Sequence, residues 1–128
     1  MRSTLVHNYY ISTQVGVSNI KLGYKTTIDS IPCITIQRIG GDSYAKLGYG
    51  TSTGGSKDRD ETRLMQIDIF HDSILNLELL DDIVIKAIFS GSRVGEGLRL
   101  TSNPPVWDSS YESYRSIQTW NCNEIVQD

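Results

Sequence analysis

Asp68, His71 and Asp72 come closest to a chemical constellation in this chain, because two carboxylates and an imidazole in one short stretch make a donor set for a divalent cation. A small metal-dependent enzyme would use them so. They stand, however, where a strand pattern gives way to a helical one, and that place explains each without chemistry. Asp72 falls where a helix N-cap belongs, Asp68 lies on the polar side of an alternating strand, and His71 is a junction residue. Cys33 and His71 form a nucleophile and base only if the fold joins them, and a cysteine at an alternating strand position reads as core. Asp81-Asp82 and Asp58, Asp60 and Glu61 read as solvated charge rather than as an acid and base dyad.

Gly50 and Gly55 have the spacing of the two glycines in a phosphate-cradling loop, but that loop needs a lysine directly after the second glycine, followed by a hydroxyl. Here the order is reversed, as Ser56-Lys57, and the next predicted element is a strand rather than a helix whose N-terminus would face the anion. The dinucleotide pattern fails as well, since Thr53 stands where a third glycine is required after Gly48 and Gly50. The residues therefore point to no catalytic, cofactor-binding or metal-binding set, and to a non-enzymatic protein.

Elements must position whatever function remains. A chain of 128 residues is the size of one domain, 1-128, and is long enough to bury a core without metal or disulfide staples. Its formal charge of −3, with no basic block, argues against nucleic-acid binding. No apolar run approaches the length of a membrane span, and the first residues do not read as a signal peptide, so a cytoplasmic protein is expected. Cys33 and Cys122, the only cysteines, read as free thiols that are buried or partly buried.

Leu5, Val6, Tyr9 and Tyr10 fall a helical turn apart behind Ser3 and Thr4, predicting a short opening helix. Residues 15–24 (VGVSNIKLGY) and 31–39 (IPCITIQRI) predict strands from their β-branched content. Residues 40–61 carry six of the eleven glycines and a mixed charge run, which predicts a long mobile loop. From Thr62 the alternation of Met65, Ile67 and Ile69 against Gln66 and Asp68 predicts a strand.

A helix over about 73–90 follows, capped by Asp72 or Ser73 and ended by Gly91. Leu77, Leu80, Val84, Ala87 and Ile88 form its buried stripe, broadened by Ile74, Ile83 and Ile85. Residues 96–102 predict a strand that Pro104-Pro105 stops. The stretch through Tyr111, Tyr114, Ile117 and Trp120 recurs every three residues, but its aromatic and β-branched content favours a last strand. The fold class expected is α+β: a mainly antiparallel sheet with one long and one short helix packed on one face, and a long glycine-rich loop between strands.

The order of a short helix, IPCITIQRIGG, a polar loop, ETRLMQIDIFHDSILNLELLDDIVIKAIF and a late aromatic strand resembles the tail terminator (tail completion) proteins of long-tailed bacteriophages. The resemblance covers most of the chain, from about Leu5 to Val126, and its most telling part is Arg63 to Phe70 with the helix directly after. It is one of residue types rather than of a sharp motif. It implies a structural virion subunit that forms a ring, usually of six copies, at the head-proximal end of the tail tube. Such a ring terminates tube growth and joins the tail to the head, with the tube protein and a head connector protein as partners, after assembly in the host cytoplasm.

The first helix is shorter than that pattern has, and the Pro104-Pro105 segment through Ser110 has no counterpart in it. Those departures leave a head-to-tail connector ring open, as well as a cellular adaptor domain. For a ring, Tyr44 and Tyr49 in the small-residue loop are suitable contact residues, and Lys46, Lys57 and Arg59 are placed to meet acidic partners.

Overall fold

The computed structural model describes residues 2–23, 25, 27–45, 58–91 and 98–127, with side chains of 41–45, 58–63, 91, 98–99 and 122–127 outside the description. Two short helices open the chain, α1 (Arg2–His7) and α2 (Tyr9–Val15), instead of the single helix expected. Ser3 and Thr4 lie inside α1, and the break falls at Asn8, whose side chain accepts from Ile11 N at 3.0 Å and so caps α2. The strand expected over 15–24 shrinks to β1 (Ile20–Leu22). Ile11 and Val15, four residues apart, bury together from a helix, Gly16 ends it at φ 84, and a single 3-10 turn leads on.

The remaining elements are β2 (Cys33–Ala45), β3 (Asp58–His71), α3 (Ile74–Gly91), β4 (Leu98–Asp108) and β5 (Ser113–Gln127). They form a five-stranded sheet in the order β1-β2-β3-β5-β4, antiparallel except where β1 runs parallel to β2. The α+β fold read from the sequence is therefore the observed one, with α3 as its longer helix. Alternation along the strands gives the sheet two unlike faces. Ile34, Ile36, Ile67, Ile69 and Trp120 turn to the helix layer and bury with Leu5, Ile11 and Val15 of the opening helices and with Leu77, Leu80, Val84 and Ile88 of α3. Each such apolar side chain contributes about 1.5–3 kcal/mol of burial, so this layer is where the stability lies.

Helix α3 matches its expected span to within a residue at each end. Ser73 is the cap: its carbonyl receives Leu77 N at 2.9 Å and its hydroxyl receives Asn76 N at 3.4 Å. Ile74 is exposed rather than part of the buried stripe. Gly91 is the last residue of the helix instead of the residue beyond it. Asp81, read as solvated, is in fact half-buried against β5. Its Oδ1 accepts from Ser116 Oγ at 2.8 Å and Gln118 Nε2 at 2.7 Å, and Gln118 Oε1 accepts from Trp120 Nε1 at 2.9 Å. Buried Ser116 and Gln118 of β5 are thus both satisfied through one helical carboxylate.

Ten of the 22 residues of the expected loop 40–61 lie in strands. Both of its ends lie in strands, with Gly40 to Ala45 paired against Leu64 to Arg59, and only 46–57 lie outside the described residues. Composition misled here because the ladder is a backbone feature. β3 is paired on both sides, and Gly40 meets a steric need, since a Cβ there would stand 3.3 Å from Leu64 Cδ1. A bulge at Ile39 adjusts the register at the same point. Pro104-Pro105 likewise does not end β4. The strand is at the edge of the sheet, where missing N–H donors are tolerated, and the pair is absorbed as an irregularity between Asn103 and Val106.

Candidate functional site

The three residues with ligand chemistry are not brought together. Asp68 faces the side of the sheet away from the helices and His71 faces the helix side, because they sit at positions of opposite parity on β3. His71 Nδ1 lies 2.8 Å from Asp72 Oδ1 and 3.1 Å from Ser73 N. It accepts from that amide when unprotonated and pairs with the carboxylate when protonated there. Among the described residues no group of three His, Cys, Asp or Glu side chains is arranged to hold a metal. Cys33 does not meet His71 either. It pairs across to Phe70 on the helix-free face, is fully buried, and burial pushes its thiol pKa up.

Asp68, expected on a solvated face, is 3% exposed and is the centre of the helix-free side. Arg115 of β5 spans two carboxylates, giving Nη2 to Asp68 Oδ2 at 2.9 Å and Nη1 to Asp108 Oδ2 at 3.0 Å. Gln66 Nε2 donates to Asp68 Oδ1 at 2.9 Å. The guanidinium stacks against Phe70 and Tyr111, 5.6 and 5.2 Å from their ring centroids, and these rings touch each other at 4.8 Å. Burial works against the charge on Arg115, but its hydrogen bonds to Asp68 and Asp108 and the charge of Asp68 outweigh it and hold the group above its ordinary range.

This arrangement does mechanical work. It ties β3, β5 and the end of β4 together, while Tyr111 Oη donates to Lys25 O at 2.8 Å and fastens the β1–β2 connection over the same face. Both oxygens of Asp68 are engaged, and the single positive charge of Arg115 is shared between two carboxylates, so the cluster has no positive charge to spare for an anionic substrate. The depression between α2 and α3, lined by Tyr10, Gln14, His71, Asn76, Leu79 and Leu80, has a volume of about 30 Å³, room for a water molecule and little more. Nothing in the sequence singled out Arg115 or Asp108. An arginine between Tyr114 and Ser116 gains a role only through strand pairing.

Of the contact residues expected from the sequence, Tyr44 and Arg59 lie on the far parts of β2 and β3. Tyr44 lies in β2 opposite Asp60, and Arg59 lies in β3 between Ala45 and Val126. Lys46, Tyr49 and Lys57 lie outside the described residues. Strand β3, with 14 residues at ~3.4 Å each, spans about 45 Å, whereas the 18 residues of α3 span about 27 Å. The strands therefore overrun the helix that covers them. Their ladder continues as a three-stranded antiparallel ribbon in which Arg59 to Leu64 pair with both β2 and β5. No protein-family model matches this sequence, and no curated protein matches it.

Proposed function

We propose that this protein is a structural subunit of a long-tailed phage virion, assembling into a ring that terminates the tail tube at its head-proximal end and joins it to the head. The observation that carries the reading is the ribbon of β2, β3 and β5 that runs on past the helix layer with Tyr44 and Arg59 on it. A domain needs no such extension to bury its own core. A subunit that must reach a neighbour or a tube does, and loop tips at the end of rigid strands are where such contacts are made. The mildly acidic chain fits a role beside passing DNA that must not be trapped.

In this reading Tyr44 and Tyr49 supply contact area, while Lys46, Lys57 and Arg59 meet acidic groups of the tube protein or head connector protein. The test is replacement of residues 46–57 by a short Gly-Ser linker, followed by native mass spectrometry and an in vitro head-joining assay beside the parent. The expected result is a folded protein that no longer joins heads to tails. A shortened protein that still assembles and joins heads would move the function elsewhere on the molecule. Whether the ring binds purified tubes or tailless heads first separates a terminator from the alternative, a head-to-tail connector.

A further inference from the structure

Among the described residues the sheet has two open edges, and their positions match. On one side β1 covers β2 only from Ile34 to Ile36, so β2 runs on to Ala45 with no strand outside it among the described residues. On the other side, β4 from Leu98 to Asn103 has β5 as its single neighbour among the described residues. Following the pairing across the sheet, Gln37 stands level with Gln66, Thr119 and Thr101, and parity puts all four on the helix-free face. The open stretches thus lie at the same height on opposite sides.

Strand direction matches too. β2 is antiparallel to β3, β3 to β5 and β5 to β4, so β4 runs antiparallel to β2. When copies stand side by side in one orientation, as a head-to-tail ring requires, β4 of one copy meets β2 of the next in the antiparallel sense. The blocked parts also coincide. Pro104-Pro105 lies between the levels of Thr35 and Cys33, where the neighbour's β2 edge is already occupied by β1. Proline is a usual guard of exposed edges, yet here the guard leaves Leu98 to Thr101 open at the height where the facing edge is open.

We infer that copies of this chain join by pairing β4 of one with the outer edge of β2 of the next, Leu98 to Thr101 against Gln37 to Gly41, so that the sheets continue around the assembly. This names the contact within the ring proposed above and rests on that reading. The two edges differ, so the contact is head-to-tail and does not stop at a dimer; with a rotation between copies that closes, it makes the ring. The row of Gln37, Gln66, Thr119 and Thr101 becomes a polar belt running from copy to copy on the helix-free side.

The experiment is oxidation of the full chain carrying Gln37→Cys with Thr101→Cys and, for a two-residue stagger, Gln37→Cys with Arg99→Cys. The parent and the single variants serve as controls. Within one copy these positions are three strand spacings apart, about 14 Å, too far for a disulfide, so every link joins two copies. The expected result is disulfide-linked oligomers up to ring size in one double variant and none in the controls, with slowed amide exchange at Leu98 to Thr101 of the assembled parent. A dimer linked through Thr101→Cys alone would overturn the inference in favour of two-fold pairing of β4 with itself. A ring seen by native mass spectrometry with neither links nor exchange protection would overturn it and leave the ring reading standing. A chain that stays monomeric and unlinked overturns it as well, and the head-joining assay then decides separately whether the tail reading survives.

Discussion

Arg115 connects elements that share no sequence neighbourhood, and its energetics are those of a buried ion pair. Taking Asp68 and Arg115 out of water costs several kcal/mol, which their contact and hydrogen bonds offset, so removing one partner is worse than removing both. We expect Asp68→Ala to cost about 3–5 kcal/mol in urea denaturation, and the double replacement Asp68→Leu with Arg115→Met to cost clearly less. A double variant weaker than the single one would show that the cluster is held by packing rather than by charge.

Cys33 gives a second expectation at this scale. Its folded pKa is raised above the unfolded value, so its contribution to stability is whole below about pH 8.5 and is lost as pH rises toward the folded value. The urea midpoint of the parent should fall as pH rises above about 8.5, and the part due to this thiol should vanish in Cys33→Ala. The native thiol should also resist alkylation, and ready modification of Cys33 without unfolding would contradict its burial.

Among the elements, α3 contributes a stripe at helical spacing in which Val84 is fully buried against the sheet. A carboxylate at that position would be desolvated with no partner, so Val84→Asp should cost several kcal/mol and prevent folding of a marginally stable domain. Glu78, exposed on the opposite side, should tolerate alanine with a change of no more than ~0.5 kcal/mol. Circular dichroism melts of the two variants check the register of the helix. If both melt like the parent, the stripe named here is not the packed one. The strands show the complementary lesson. The alternation from Met65 to Ile69 made β3 legible, whereas the Gly, Ser and Asp content of 40–45 hid the far part of β2, because its pairing with β3 is backbone to backbone and leaves no period-2 apolar pattern in the sequence.

For the molecule as a whole, the helix layer and the ribbon divide stability from reach. The apolar cluster involves Ile34, Ile36, Ile67, Ile69 and Trp120, while the ladder from Asp58 to Leu64 extends beyond the length α3 can cover. Native-state hydrogen exchange should therefore be slowest at Ile67 to Ile69 and markedly faster at Arg59 to Arg63. Replacing 46–57 should leave the melting temperature nearly unchanged, since that segment joins strands whose anchoring lies in the covered part. Equal protection along all of β3 would mean that the ribbon is stabilised on its own and is no separate unit.

By itself the sequence determined the α+β class, the span and buried stripe of α3, the alternation of β3 and the strand character of the aromatic C-terminal stretch, because each is written in local periodicity that a 3.6- or 2-residue repeat exposes. Only the tertiary structure decided that 15–24 is mostly not a strand, that Pro104-Pro105 stays inside an edge strand, and that Asp68 is a buried partner of Arg115 rather than a solvated carboxylate. Those outcomes turn on which strand lies beside which. Strand order sets which edge can spare a donor and which carboxylate meets which guanidinium, and no local pattern in the chain encodes that neighbour relation.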